Sequence, residues 1–125
     1  MPKHGRKILA VVDDLLFTVK INDAAKRAGL ITEFVKSETD ILDKAGEQPL
    51  LIIFDLNCNS VDPIRMIELL KGTPALKSIS LIGYLSHVQG ELKQKAHEAG
   101  ANIVMARSAF SQNLQQILRR HAGSV

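Results

Sequence analysis

Three aspartates that follow two apolar segments are the residues of this chain best suited to chemistry. Asp13 and Asp14 come directly after the run 8–12, and Asp55 comes directly after the run 50–54, both of which hold only apolar residues. A buried strand cannot keep an unpaired carboxylate, so these charges must emerge where the strands leave the core. If the two strands run parallel in one sheet, the carboxylates meet at its carboxyl edge, where open α/β sheets bind ligands. Two such strand ends favour a shared site over strand stops or helix caps, although both interpretations stay open.

The rest of the chain alternates between strand-like and helix-like segments. Strands are predicted at 7–12, 32–35, 50–56, 79–85 and 103–106. Helices are predicted at 15–28, at 37–45, from 63 to the break at 72, at 91–99 and from 111 onward. Five strands that alternate with five helices predict an α/β fold with a doubly wound five-stranded parallel sheet and right-handed crossovers. We expect a single domain over residues 1–125, with a core at about 6–121.

Apolar spacing and capping residues predict how the first and last helices are placed. Leu16 and Val19, with two alanines further along, are assigned to the buried side of the first helix. Gly29 is expected to end that helix, because glycine readily adopts left-handed backbone geometry. Ser111 is predicted to cap the last helix. Gly83, in the middle of the fourth strand, is not explained by the pattern.

The composition, 46% hydrophobic and 23% charged, is that of an ordinary globular protein. No apolar run approaches the ~20 residues of a membrane span and no signal-peptide core follows the basic start, so we expect no membrane partner and a cytoplasmic location. Cys58 is the only cysteine, which excludes an internal disulfide and a cysteine-based zinc site. The net charge of +3 lies largely at the termini, aromatic residues are few, and no helix-turn-helix or zinc finger is present. We therefore expect no nucleic-acid partner.

Further residues at strand ends match a known family. Ser86 ends the fourth strand, and the sequence Ala-Gly-Ala at 99–101 forms the turn before the fifth. Together with Asp13-Asp14 and Asp55, these motifs are similar, across essentially the whole chain, to those of receiver domains from bacterial two-component response regulators. The resemblance implies the flavodoxin-like (βα)5 receiver fold and a signalling role rather than that of an enzyme.

The resemblance also implies a role for each site residue. Asp55 would be the phosphoacceptor, and Mg²⁺ would be bound by Asp13, Asp14 and Asp55. The backbone carbonyl of Asn57 would be a further ligand of the metal, and Ser86 would hydrogen-bond the phosphoryl group. Mg²⁺ takes six oxygens at ~2.1 Å and keeps several waters, which suits such a donor set. The ion would screen the repulsion between the aspartate nucleophile and the incoming phosphoryl group.

Arg107-Ser108 replaces the Lys-Pro pair that follows the fifth strand in ordinary receivers. Arg107 keeps the charge that contacts the phosphoryl group, but its planar, forked head is not equivalent to an ammonium group. A second interpretation is that Arg107 balances the acidic cluster in an ion pair that locks a phosphorylation-independent state. A cis peptide bond before Ser108 would cost about 2.5–4 kcal/mol, so a trans bond and a rearranged loop are predicted.

Other departures from the family lie around its signalling surface. His87 takes the place of a small residue and would narrow access to Asp55. Val104 stands at the aromatic switch position of the fifth strand, where a valine cannot rotate between buried and exposed states as a tyrosine can. Cys58 and Asn59 replace the usual Met-Pro after the third strand. These changes indicate an atypical receiver that keeps the acidic residues.

Three functional hypotheses follow. The first is a stand-alone receiver that accepts a phosphoryl group from a histidine kinase or phosphotransfer protein and contacts a downstream protein target. The second is a pseudo-receiver that binds partners, or forms a homodimer, without phosphorylation. The third, a metal-dependent phosphatase with an aspartate nucleophile, is disfavoured because Asn57 stands where a second acid is expected. A Ser86–His87–Asp55 triad is also disfavoured, since neighbouring strand residues point to opposite faces.

Overall fold

The computed structural model describes residues 6–86 and 90–123, which form one five-stranded sheet and five helices. The strands are β1 (Lys7–Val11), β2 (Ile31–Phe34), β3 (Leu51–Asp55), β4 (Ser80–Leu85) and β5 (Ile103–Ala106). The helices are α1 (Leu15–Arg27), α2 (Glu38–Ala45), α3 (Pro63–Gly72), α4 (Gly90–Ala99) and α5 (Arg107–His121). Within these ranges no helix is long and apolar enough to cross a membrane.

All four strand pairings are parallel, in the order β2-β1-β3-β4-β5. This order confirms the predicted doubly wound sheet and is that of the flavodoxin-like folds. Successive residues of β1 and β3 pack alternately on the two sides of the sheet, so both strands are apolar on both faces. Helices α1 and α5 cover one face, and α2, α3 and α4 cover the other. The polar ends of the central strands therefore emerge only at the edges of a closed core.

The predicted buried side of α1 is wrong at its first two residues. Leu16 and Val19 are 57% and 59% exposed. The buried residues of the first turns are instead Phe17 and Ile21, which continue to Ala24 on the same face. This phase buries the ring of Phe17, which holds more apolar surface than either exposed residue, so it stabilises the packed helix more strongly.

The predicted start of α5 is also wrong. The helix begins at Arg107, directly after β5, and Ser111 lies one turn inside it. Ala106 occupies the cap position without a side-chain cap, while the Ser111 hydroxyl oxygen accepts a hydrogen bond from Lys20 Nζ at 3.0 Å. The described residues contain no cis peptide bond, which confirms the trans bond before Ser108. The predicted rearranged loop is absent, because α5 begins at the residue that follows β5.

Several other helix ends agree with the sequence. Gly29 has φ of +75° after α1, and this left-handed conformation confirms the predicted stop. Ser37 caps α2 by accepting a hydrogen bond from the amide of Asp40 at 3.1 Å. Pro63 is the first residue of α3, where its missing amide hydrogen costs nothing. These ends fix the lengths of the connections that lead away from the sheet edge.

Candidate functional site

The parallel register brings the three predicted aspartates to one edge of the sheet. Val11 of β1 pairs with Phe54 of β3, so the residues that follow both strands leave the sheet at the same level. The charges of Asp13 and Asp14 both act on the carboxyl group of Asp55 and raise its pKa. Asp13, Asp14 and Asp55 therefore follow two neighbouring strands at the same edge of the sheet.

The carboxyl group of Asp55 has a raised pKa. Burial is the largest cause of its raised pKa, and the two neighbouring aspartates add to it. A hydrogen bond of 2.9 Å from the amide of Asn57 to Asp55 Oδ1 and the charge of Arg107 act in the opposite direction. The side chain is only partly buried, so its carboxylate remains accessible from the edge.

Asp13 is held by the loop between β3 and α3. Its Oδ2 accepts hydrogen bonds from the amides of Asn59 at 2.9 Å and Ser60 at 3.3 Å. Its Oδ1 accepts a third, at 2.9 Å, from the Ser60 hydroxyl. The hydrogen bond from the Asn59 amide is the largest cause of the lowered pKa of Asp13. This carboxylate therefore joins the end of β1 to the loop that follows Asp55.

Asp14 has two functions in the fold. Its Oδ1 accepts a hydrogen bond of 2.8 Å from the amide of Leu16, so it is the N-cap of α1, as the capping interpretation allowed. Its Oδ2 pairs with Nη2 of Arg107 in an ion pair. The guanidinium carbon of Arg107 lies 4.7 Å from the centre of the Phe17 ring. Of the two roles predicted for Arg107, this contact matches the ion pair with the acidic cluster.

Asn57 and Ser86 contact each other through their side chains. The Asn57 amide oxygen accepts hydrogen bonds from the Ser86 amide at 2.8 Å and the Ser86 hydroxyl at 3.1 Å. Sequence reasoning assigned the backbone carbonyl of Asn57 to a metal and the Ser86 hydroxyl to a phosphoryl group, and it missed this pair. The signal was an amide side chain two residues after the strand-end Asp55, facing a serine at the next strand end.

A stack of three aromatic rings lies beneath the cluster and was not foreseen. The Tyr84 ring packs 5.0 Å from Phe17 and 4.7 Å from Phe110, measured between ring centres. The Tyr84 hydroxyl is buried and has no hydrogen-bond partner among the described residues. Its pKa is raised, mainly by burial and then by the charges of Asp55 and Asp14. The floor of the site is thus apolar, which strengthens the interactions of charges above it.

The donor set suits a hard divalent cation, because carboxylate and carbonyl oxygens are the ligands that Mg²⁺ prefers. In residues 6–86 and 90–123, however, no three carboxylate, histidine or cysteine side chains are grouped as a metal site. Two aspartates at this edge have other contacts. Asp13 accepts hydrogen bonds from the β3–α3 loop, and the two oxygens of Asp14 contact the α1 cap and Arg107. A metal ion at this edge would compete with these contacts for the carboxylate oxygens.

The other residues singled out in the sequence have simpler surroundings. Cys58 is buried, and burial is the main cause of the raised pKa of its thiol, as for a structural cysteine. Val104 of β5 is buried at the predicted switch position. His87, predicted to narrow access to Asp55, lies outside the described residues.

Solved structures of known proteins share this architecture, whereas no family model and no curated protein matches the chain. The phosphorylated cyanobacterial phytochrome response regulator RcpA has 21% identity and a TM-score of 0.75, over 92% of this chain and 89% of that one. The chemotaxis response regulator CheY4 of Vibrio cholerae has 21% identity and a TM-score of 0.77, over 92% of this chain and 97% of that one.

A third similar structure is the receiver domain of the sensor histidine kinase PA1611 from Pseudomonas aeruginosa, solved with a magnesium ion in its active-site cleft. It has 22% identity and a TM-score of 0.78, over 96% of this chain and 99% of that one. The chain therefore has the fold of response regulator receiver domains.

Proposed function

We propose that this chain is a receiver domain of two-component signalling in which Asp55 accepts a phosphoryl group. The observation that best supports the proposal is that three strand-end aspartates lie at the carboxyl edge of a sheet with the receiver fold. Asp55 suits the acceptor role because it is partly buried yet accessible, whereas the other two carboxylates are bound to a loop and to Arg107.

In the proposed reaction, a carboxylate oxygen of Asp55 attacks the phosphorus atom of a phosphohistidine in the donor protein. The P–N bond of the donor breaks, an acyl phosphate forms on Asp55, and the released imidazole nitrogen takes up a proton. Asp13, Asp14 and the backbone carbonyl of Asn57 would hold Mg²⁺ beside the acceptor. When bound, the ion would neutralise charge on the transferred group.

Ser86 and Arg107 would contact the phosphoryl group. Ser86 directly follows β4, and its hydroxyl lies beside the side chain of Asn57, two positions after Asp55. Only a side-chain rotation is needed to turn this hydroxyl towards an oxygen of the phosphoryl group. Arg107 already acts on the Asp55 carboxyl group through its charge. Its forked donors match the oxygens of a phosphoryl group in pairs.

The proposal implies protein partners. A histidine kinase or a phosphotransfer protein, in the cytoplasm, would supply the phosphoryl group, and a downstream protein target would bind the modified chain. Two of the similar solved proteins support this setting, since one is a phosphorylated response regulator and another is the receiver domain of a sensor histidine kinase. The modified chain would pass its signal on through contact with this target.

A second candidate function is that of a pseudo-receiver that binds partners or forms a homodimer without phosphorylation. The observation that favours it is the ion pair between Arg107 and Asp14, which gives the acidic cluster a cation of its own. In that case the site would be a structural junction between β1, α1 and α5.

Acetyl phosphate with Mg²⁺ separates the two candidates. The expected result is a mass gain of one phosphoryl group in the intact protein and loss of this gain in Asp55→Asn. Asp43→Asn is the matched control, because Asp43 is an exposed aspartate of α2 away from the sheet edge. The control variant should be labelled as the unmodified chain is.

The absence of labelling, under conditions that label an ordinary receiver, would contradict the phosphoacceptor role and favour the pseudo-receiver. Labelling that persists in Asp55→Asn would assign the modification to another residue. Steady turnover of a phosphate ester, lost in Asp55→Asn, would instead indicate a phosphatase with an aspartate nucleophile.

A further inference from the structure

Arg107, Asp14 and Phe17 form a group of contacts that we name the arginine clamp. The guanidinium is paired with the Asp14 carboxylate and packs over the Phe17 ring. The ring is itself supported, because Phe17 stacks on Tyr84 and Tyr84 stacks on Phe110 of α5. The planar head of Arg107 is thus fixed from two sides, by a charge and by a rigid aromatic surface.

The clamp uses the oxygen atoms that a divalent cation would need. One Asp14 oxygen accepts the hydrogen bond of the α1 cap, and the other is paired with Arg107. The charge of Arg107 also reaches Asp55, whose pKa it lowers. The guanidinium is therefore a cation that is paired with Asp14 and acts on Asp55 in this state of the chain.

Partial burial makes this pair harder to displace than an ordinary surface ion pair. The side chains of Arg107 and Asp14 are 37% and 28% exposed, so solvent and salt screen their attraction less than at a fully exposed position. Release requires a competing cation or a competing anion.

We propose that Arg107 is a built-in competitor of divalent cations, so that a metal ion binds this site only when the arginine clamp opens. The inference rests on the metal site of the proposed function and adds to it a state that excludes the metal. It assigns to Arg107 a role in the unmodified chain, distinct from contact with a phosphoryl group.

Mn²⁺ is the probe for the test, because free Mn²⁺ is counted directly by its paramagnetic resonance signal and the readout needs no phosphorylation. Arg107→Gln is expected to bind Mn²⁺ about 5-fold or more tightly than the unmodified chain, the lower end of ordinary coupling between sites. Arg119→Gln is the matched control, since it removes the same charge from an exposed position in the last turn of α5. Its affinity should equal that of the unmodified chain.

Phe17→Leu separates the clamp from a general effect of charge. This variant keeps every charge of the site but removes the ring beneath Arg107, so its Mn²⁺ affinity should also rise, by less than in Arg107→Gln. Thermal unfolding identifies whether Phe17→Leu is folded. If it is not, Phe17→Met serves in its place, since methionine keeps the side-chain volume without the aromatic face.

Addition of Asp13→Asn to Arg107→Gln should abolish the gain in Mn²⁺ affinity. This loss would assign the bound ion to the acidic cluster.

The outcomes distinguish this inference from the proposed function. Equal Mn²⁺ affinities of the unmodified chain and Arg107→Gln would overturn the competition and leave the metal site standing. A higher Mn²⁺ affinity in Arg107→Gln, with no higher affinity in the folded Phe17 variant, would mean that Arg107 acts only through its charge. That result would overturn the clamp. No Mn²⁺ binding in any variant would overturn both the competition and the metal site.

Discussion

Gly83 of β4 lies against the side chain of Leu56, whose Cδ1 is 2.9 Å from the position that a Cβ atom at residue 83 would occupy. Leu56 directly follows Asp55, and its amide donates a hydrogen bond of 2.9 Å to the carbonyl of Tyr84. The glycine that the strand pattern left unexplained is therefore required by Leu56, the residue that directly follows Asp55 at the end of β3. Packing around Gly83 supports the position of Asp55.

Gly83→Ala is expected to lower the free energy of unfolding by about 1–3 kcal/mol, because the added methyl group forces Leu56 to move in a packed core. Urea unfolding measures the loss. Gly72→Ala is the control, since a Cβ at Gly72 would meet nothing within 4 Å. Leu56→Ala in the Gly83→Ala background should recover part of the cost of the first change, as a double-mutant cycle would reveal. Equal stability of the two alanine variants would refute the role given to Leu56.

Asp55→Asn is expected to raise the stability of the fold at neutral pH. Burial raises the pKa of Asp55 above its value in the unfolded chain, so the ionised carboxylate costs stability at pH values above both pKa values. The cost disappears when the group is protonated in both states, below the ordinary aspartate pKa of about 3.9. Melting temperatures across this pH range should therefore differ near pH 7 and converge at acid pH. A gap that stays constant with pH would be inconsistent with this cause.

Asn57→Ala removes the oxygen that accepts two hydrogen bonds from Ser86 and should cost about 1–2 kcal/mol of folding free energy. Ser86→Ala removes only the hydroxyl bond and should cost less. The local readout is the hydrogen exchange of the Ser86 amide, which should become faster in Asn57→Ala and remain slow in Ser86→Ala. Unchanged exchange in Asn57→Ala would show that the pair does not hold the end of β4.

Lys71 at the end of α3 donates hydrogen bonds of 3.0 to 3.1 Å to the carbonyls of Lys77 and Ile79 and to the side-chain oxygen of Asn102. Lys71→Met keeps the apolar stem but leaves these acceptors without their charged donor, so the expected loss is about 2–3 kcal/mol. Thermal or urea unfolding checks the value. Lys93→Met, at an exposed position of α4, is the control and should lie within about 0.5 kcal/mol of the unmodified chain.

The shared edge of the three aspartates could be predicted because strand ends carry a strong signal. An apolar run with no polar position must be buried on both faces, and the first charge after it marks where the chain leaves the core. Parallel pairing then places Asp13, Asp14 and Asp55 together whatever the details of the helices. The fold class follows from the same alternation of segments.

Side-chain partners and helix phase could not be predicted in the same way. The start of α1 carries consecutive apolar residues, so its spacing fits two buried faces, and only the stack of Phe17 on Tyr84 selects one. The start of α5 was placed at the best capping residue, Ser111, whereas the observed helix begins at Arg107 without a side-chain cap. The choice of Asp14 as the partner of Arg107 depends on the buried face of α1 and on the start of α5, which were both predicted wrongly. Local propensity alone cannot supply such contacts.

No residue separates β5 from α5, so the side chain of Arg107 is attached directly to the first turn of the helix. A side chain on a flexible loop can exchange partners without any effect on a neighbouring helix. Arg107, in contrast, is itself the first residue of a helix of 15 residues. A ligand that draws Arg107 from Asp14 would act on the first turn of α5, one turn before the buried Phe110. Binding that moves Arg107 at the acidic edge could thereby shift α5, in a chain whose β5 offers no aromatic side chain to move.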